Sequence, residues 1–202
     1  MGEARPEPSA RARRSPLSVT VVGTIVVVGA LWLFTATADN PASPQPRTGP
    51  GVPLAQNRPA PKLAAPLLRG PGTLSVSGDT GSVVVVNFWA SWCRACRIEA
   101  SDLDRVWSAY RGRGVRFVGV DYEDRSGAAI ATANSLGMRY PSVRDPTGSV
   151  GDAFGIVGLP TTYVIDPGGR IRFVVVGRVR ATSLGPALDS VLASARGEGS
   201  AA

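Results

Sequence analysis

Histidine is missing from this 202-residue chain, cysteine and methionine occur twice each, and Lys62 is the single lysine. Each scarcity removes a class of chemistry. A tetrahedral zinc site needs about four nitrogen or sulfur ligands, which two cysteines without histidine do not supply. Haem attachment requires a histidine directly after the second cysteine of a Cys-x-x-Cys pair, and Arg97 stands there. The lack of histidine and the shortage of methionine also argue against a metal-delivery module. Basic residues exceed acidic ones, 22 against 15, yet no arginine stripe is interleaved with aromatics, so nothing points to nucleic acid. The surplus is uneven: Arg5, Arg11, Arg13 and Arg14 crowd the N-terminal flank.

Charge is missing altogether from Leu17–Phe34 and on to Ala38. At about 1.5 Å per residue, some 22 residues span roughly 33 Å, enough for a bilayer core. Arginines precede this run and none follows before Arg47. The positive-inside rule therefore makes residues 1–16 a cytoplasmic basic tail and places everything after Ala38 outside. The run exceeds the usual ~7–15-residue signal core, which favours a retained transmembrane anchor at 17–38. Cleavage after the small-x-small sequence Ala36-Thr37-Ala38 is the alternative and would leave a secreted domain. No cysteine lies near the end of the run, so a lipoprotein anchor is not expected. Residues 39–72 hold nine prolines among Gly, Ser, Ala and Gln. That composition predicts an extended, semi-rigid tether of polyproline II character. One domain is expected over 73–196, followed by a disordered tail at 197–202.

The chain is organised around Val83–Glu99, VVVVNFWASWCRACRIE. Four valines followed by Asn87, Phe88 and Trp89 are a short apolar run of β-formers, the mark of a strand buried on both faces. Cys93 and Cys96 then sit three apart at the start of a helical pattern. Such a pair can close a small disulfide ring, and the free N–H groups and dipole of the helix favour a thiolate at the first position. A structural staple is the competing reading, with metal binding behind it. Against a staple, so small a ring removes little loop entropy, and a strand running into a Cys-x-x-Cys helix start is a redox arrangement. Cys93, at the exposed start of the helix, is the expected nucleophile and Cys96 the resolving thiol. A Cys93 thiolate attacks a substrate disulfide, and Cys96 then attacks the mixed disulfide. Arg94 and Arg97 would favour the thiolate, a solvated helix face being the plainer account of them.

Around this centre the pattern predicts an edge strand at Thr73–Ser77, a central strand at Val83–Trp89 and a helix over Cys93–Tyr110. That helix would carry Ile98, Leu103, Val106, Trp107 and Tyr110 on one face. A buried strand at Val115–Asp121 completes a parallel βαβ unit. A helix capped by Ser126, a brief strand at Tyr140–Arg144 and a short helix at Val150–Phe154 follow. Strands at Thr161–Ile165 and Ile171–Val176 form a hairpin, and a helix capped by Thr182 closes the chain.

Two segments, in this order, resemble the TlpA/ResA/CcmG group (DsbE-like proteins), the membrane-tethered thiol–disulfide oxidoreductases of bacteria. One is Val83–Glu99. The other is Gly158-Leu-Pro-Thr-Thr-Tyr-Val-Ile-Asp166, similar to the group's cis-proline segment. The likeness runs from about Ala60 to Leu192. It implies an α/β thioredoxin fold, a central mixed sheet flanked by helices, with an inserted helix and strand before the cis-proline segment. It implies no cofactor beyond the redox-active Cys93–Cys96 disulfide. It also implies a cis Leu159–Pro160 bond against the cysteines, with Trp92, Leu159 and Thr161 on the substrate face. Glu99 matches an acidic position that the group commonly carries. Asn87 stands where plain thioredoxin buries an aspartate, and Asp121 and Glu123 are candidates for the missing acid. Ser101 replaces a frequent proline, which implies a straighter helix. The implied partners are client protein disulfides, those of apocytochrome c or copper-site assembly proteins, and a transmembrane electron donor of the CcdA or DsbD type. The implied direction is reduction. A disulfide-forming oxidase would use the same residues in reverse, and a redox-inactive partner module is the remaining reading.

Overall fold

The computed structural model describes residues 49–77 and 81–197. The basic tail, the expected membrane span and residues 198–202 lie outside the described residues. Among those described, no helix is long and apolar enough to cross a membrane.

Strand β4 (Val83–Trp89) is buried along its whole length and the sheet is laid around it. Side chains alternate across a strand, so Val83, Val85 and Trp89 enter one core while Val84, Val86 and Phe88 enter a second on the opposite face. Each such burial is worth about 1.5–3 kcal/mol, which makes this strand the least dispensable in the fold. β5 (Val115–Tyr122) and β6 (Ser142–Asp145) add in parallel on one side. β7 (Thr161–Ile165) and β8 (Arg170–Val176) add antiparallel on the other. The order in the six-stranded sheet is β1-β8-β7-β4-β5-β6.

Helices α1 (Arg94–Tyr110), α2 (Ser126–Ser135) and α4 (Ala181–Ala195) contribute to the first core through Leu103, Ala129 and Leu188 among others. The short α3 (Ser149–Phe154) contributes Val150 and Phe154 to the second. α1 and α4 are tied together by the Tyr110 hydroxyl, which donates to the Gly185 carbonyl at 3.1 Å. Parallel strands joined through helices, with β6 and α3 standing before an antiparallel β7–β8 pair, are a thioredoxin-like α/β fold.

Several expectations need correction. The stretch 39–72 is not tether throughout: β1 (Leu54–Pro59) pairs antiparallel with β8, and β2 (Ala64–Pro66) pairs with β3 (Thr73–Ser75). Proline is compatible with strands at their ends and on edges, and Pro59 and Pro66 are the last residues of theirs. β3 is accordingly not an edge of the central sheet but half of a separate two-stranded ribbon. Ile98, expected on the inner face of α1, is 47% exposed. Two residues turn a helix through about 200°, so with Cys96 facing inward Ile98 must face out. The helix caps also sit earlier than expected, at Arg125 and Arg180 in place of Ser126 and Thr182, and neither donates or accepts a side-chain cap bond.

Candidate active site

β4 delivers the chain to the sheet's end, and Ala90–Trp92 turn it into α1. Cys93 is the N-cap of α1, held by its own N–H on the Ala90 carbonyl at 3.1 Å. Its sulfur accepts the Cys96 backbone N–H at 3.1 Å, and the two cysteines are joined as a disulfide. The first-turn N–H groups of a helix have no intrahelical partner, so an electron pair left on Cys93 Sγ is met by a donor already in place. Exposure does not separate the two thiols as expected: Cys93 is 6% and Cys96 5% exposed. The bond rather than accessibility singles out Cys93. Arg94 and Arg97 are exposed and make no ion pair among the described residues.

Beneath the disulfide lies a buried carboxyl group. Glu99 follows Cys96 by three positions, on the same helix face, and is fully buried. The Asn87 side-chain amide donates to its Oε1 at 2.9 Å and the Val179 backbone N–H to its Oε2 at 2.8 Å. Asn87 also donates to the Thr162 hydroxyl at 3.0 Å. Burial pushes the Glu99 carboxyl up to about 7, more than the two donors and the Arg178 charge pull it down. A proton is therefore gained or lost near neutrality one turn from Cys96. Asn87, read as the loss of an acid, is the group that holds one.

The rim contains the other expected residues, unevenly. Trp92 is 60% exposed, its indole N–H directed at the Glu123 carbonyl at 3.4 Å. Glu123 itself is exposed, and its carboxylate lies beside Gly148, not under the disulfide. Asp121 lies on β5 in register with Trp89 and is buried. Its carboxyl is pushed up to about 7, first by burial and then by the charge of Asp124. Asp124 and Ser91, which the sequence reading passed over, are joined. The Ser91 N–H and hydroxyl both donate to the Asp124 carboxylate, at 2.5 and 3.0 Å.

The Leu159–Pro160 peptide bond is cis. The Pro160 carbonyl accepts the Gly177 N–H at 2.8 Å, which fixes the start of β7 to β8. Among the described residues neither the N–H nor the C=O of Leu159 has a hydrogen-bond partner. Its side chain packs against both cores. Thr161 is buried and its hydroxyl donates to the Gly158 carbonyl at 2.7 Å. That bond lies within its own turn.

The comparisons with known proteins agree with this chemistry. Residues 57–174 match the model of the AhpC/TSA family. The chain is similar to the thiol:disulfide interchange protein DsbE of Allochromatium vinosum, with 31% identity over 178 residues, covering 87% of this chain and 92% of that protein. It is also similar to the thiol-disulfide oxidoreductase ResA of Oceanobacillus iheyensis, with 29% identity, covering 59% of this chain and 62% of that one. Among solved structures, a thiol:disulfide interchange protein of the thioredoxin family from Chlorobium tepidum superimposes with a TM-score of 0.61. The identity is 28%, over 69% of this chain and 99% of that one. With the match to the family model extending over more than half of its length, and with its paired cysteines joined at the start of α1, the chain belongs to the AhpC/TSA family as a thiol–disulfide oxidoreductase of the DsbE and ResA type.

Proposed function

We propose that this enzyme works as a reductase of client disulfides outside the cytoplasmic membrane, with Cys93 attacking and Cys96 resolving. The observation that carries the direction is the buried Glu99 carboxyl on the Cys96 face of α1. A thiolate stabilised in the reduced form makes a strong oxidant, and a carboxylate nearby opposes that stabilisation. Arg94 and Arg97 act in the other direction, but they are exposed and screened by water, whereas the Glu99 carboxylate, once ionised above about pH 7, is buried and screened far less. The balance favours the disulfide form, hence electron donation to clients.

In the reductive half-reaction the Cys93 thiolate attacks one sulfur of the client disulfide, and the other leaves as a thiolate. Cys96 loses its proton, with Glu99 placed to receive it, and attacks Cys93 Sγ. The Cys93–Cys96 bond forms, the mixed disulfide breaks, and the client departs with both sulfurs reduced. Two electrons pass from the enzyme to the client without a further cofactor. The family likeness supports cysteine-bearing exported polypeptides as clients, apocytochrome c or copper-site assembly proteins, and a transmembrane donor of the CcdA or DsbD type to restore the dithiol. The uncharged run 17–38 supports a retained anchor that keeps the enzyme beside such a donor.

Equilibration of the full chain with glutathione buffers tests the direction. A reduction potential near that of thioredoxin, about −270 mV, is expected, and a value near about −120 mV would assign the oxidase instead. Cys96→Ser should accumulate mixed disulfides with clients while Cys93→Ser accumulates none. The reverse pattern would exchange the two roles.

A further inference from the structure

We propose that residues 50–52, just ahead of β1, clasp the loop 177–179 so that the Val179 N–H stays on Glu99, which makes Gly51 a positioning residue for the resolving step at Cys96. This role goes beyond the reductase reading and rests on its assignment of Glu99 as the acceptor of the Cys96 proton.

The loop 177–179 follows β8 and is held from two sides. On one side the Gly177 N–H donates to the Pro160 carbonyl at 2.8 Å. On the other, the Gly51 N–H donates to the Val176 carbonyl at 2.8 Å, where β8 gives way to the loop. Gly51 has φ 84° and Gly177 φ 85°, a conformation that a side chain would strain. The approach is also too close for side chains. A Cβ on Gly51 would collide with the Arg178 carbonyl oxygen, and one on Gly177 would stand 3.2 Å from the Pro50 Cβ. The Ser183 hydroxyl, in the first turn of α4, reaches the Gly51 carbonyl at 3.4 Å and the Arg180 carbonyl at 3.0 Å. It closes the clasp from the helix side.

Between these holds the loop turns Val179 inward. Val179 is fully buried in the first core, and its N–H donates to Glu99 Oε2 at 2.8 Å. When Cys96 gives up its proton, the S–H bond breaks and an O–H bond forms on Glu99. The electron pair left on Cys96 Sγ then attacks Cys93. A backbone N–H on a carboxylate favours the charged form, so the Val179 bond keeps Glu99 ready to take that proton. Burial raises the Glu99 carboxyl, and the Val179 N–H is the foremost contact drawing it back, ahead of Asn87 and Arg178.

The charged and titratable groups around Glu99 are Arg178 from this loop, Asp102 on α1, Tyr140 ahead of β6, and Cys96 one turn before it. Asp102 is paired with Arg105 at 3.1 Å. Asp102 and Tyr140 belong to other elements and stay in place when the loop moves. Releasing the loop withdraws the Val179 N–H and Arg178 together, and both losses keep the carboxyl protonated to higher pH. The resolving step then lacks its proton acceptor where the intact clasp would supply one.

The test uses the full chain in detergent micelles, reduced and mixed with the aromatic disulfide dithiobis(nitrobenzoate). Attack by Cys93 releases the first thionitrobenzoate in a step that depends on reagent concentration, and attack by Cys96 releases the second in a step that does not. In the wild-type chain the second step should show a midpoint near that of Glu99, about 7. Gly51→Ala should move this midpoint up by about half a pH unit, slowing the step about threefold below it, while the first step keeps its rate. Ser183→Ala, which loosens the clasp without straining the backbone, should move it the same way by less. Gly49→Ala, whose Cβ would enter open space, should leave it unchanged. In the oxidised chain the Glu99 carboxyl-carbon resonance should follow the same order of shifts. Gly51→Ala and Ser183→Ala profiles that keep the wild-type midpoint, with only the melting temperature lowered, would make residues 50–52 a structural seam and overturn the proposal. Glu99→Gln separates the two readings, and it should remove the midpoint. A midpoint that survives in Glu99→Gln overturns the reductase reading's use of Glu99 and, with it, the clasp's route to Cys96. A midpoint that Glu99→Gln removes but neither clasp variant moves overturns the clasp alone.

Discussion

Replacing Glu99 by glutamine should change how stability depends on pH, in a direction fixed by the burial of the carboxyl group. Its folded-state value is raised to about 7 from an ordinary 4.5. Below the ordinary value the group is protonated in both states and its stabilising contribution is fully present. As pH rises the unfolded chain ionises first while the folded chain holds its proton, and the contribution is lost by the time pH passes about 7. At about 1.4 kcal/mol per pH unit, the gap amounts to about 3 kcal/mol, or roughly 6–12 °C in melting temperature for a chain of this size. Glutamine keeps an acceptor for Asn87 but cannot accept from both Asn87 and the Val179 N–H, a pH-independent cost of about 1 kcal/mol. The glutamine variant should therefore be the less stable protein at pH 4.5 and the more stable one at pH 8.5. Guanidinium unfolding of the oxidised chain across that range is the assay, since the disulfide removes cysteine titration. Taking the difference between the variants at each pH cancels the contribution of Asp121. Parallel curves for the two proteins would mean that Glu99 titrates like a surface glutamate and would refute the reasoning.

Two further outcomes follow from other parts of the chain. Gly151→Ala should destabilise by about 1–3 kcal/mol through overpacking, because a Cβ there would lie within 3 Å of the Tyr122 ring. Unfolding of the two proteins at neutral pH measures it, and an unchanged midpoint would mean that the ring moves aside freely. The full chain should stay with the membrane fraction through carbonate extraction. A mature N-terminus at Asp39 by mass spectrometry would replace the anchor with a cleaved leader.

The central strand and the paired cysteines were legible because both are local: a run of β-formers, then two thiols one helical turn apart. Glu99 was legible as an acid by resemblance, but its partners were not. Val179 is distant in sequence, and a backbone N–H leaves no mark in a sequence. Asn87 looked like a missing acid, although its place on the face shared by Val85 and Trp89 directs it toward the first helix. Asp124 escaped notice as one more charge in a polar loop, and its tie to Ser91 depends on β4 and β5 ending side by side. β1 was hidden by composition. The prolines around it weigh toward a tether, while its alternating exposure becomes meaningful only beside β8.

The two margins of the central sheet bear on how such an enzyme avoids its own clients. A catalyst of disulfide exchange meets extended polypeptides, and an open strand margin would recruit them as misplaced β-partners. On one side, β1 carries a register irregularity between Ala55 and Arg58 and finishes at Pro59. On the other, β6 is four residues long, and Leu67 and Leu68 lie along it, bridging Val143 and donating to the Ser142 carbonyl. Both margins are thus poor templates, whereas the backbone of Leu159, next to Pro160, has its hydrogen-bonding groups unoccupied. Among the described residues, the fold thus guards against indiscriminate aggregation with its substrates by offering open main chain at a short loop beside the cysteines and not along a sheet margin.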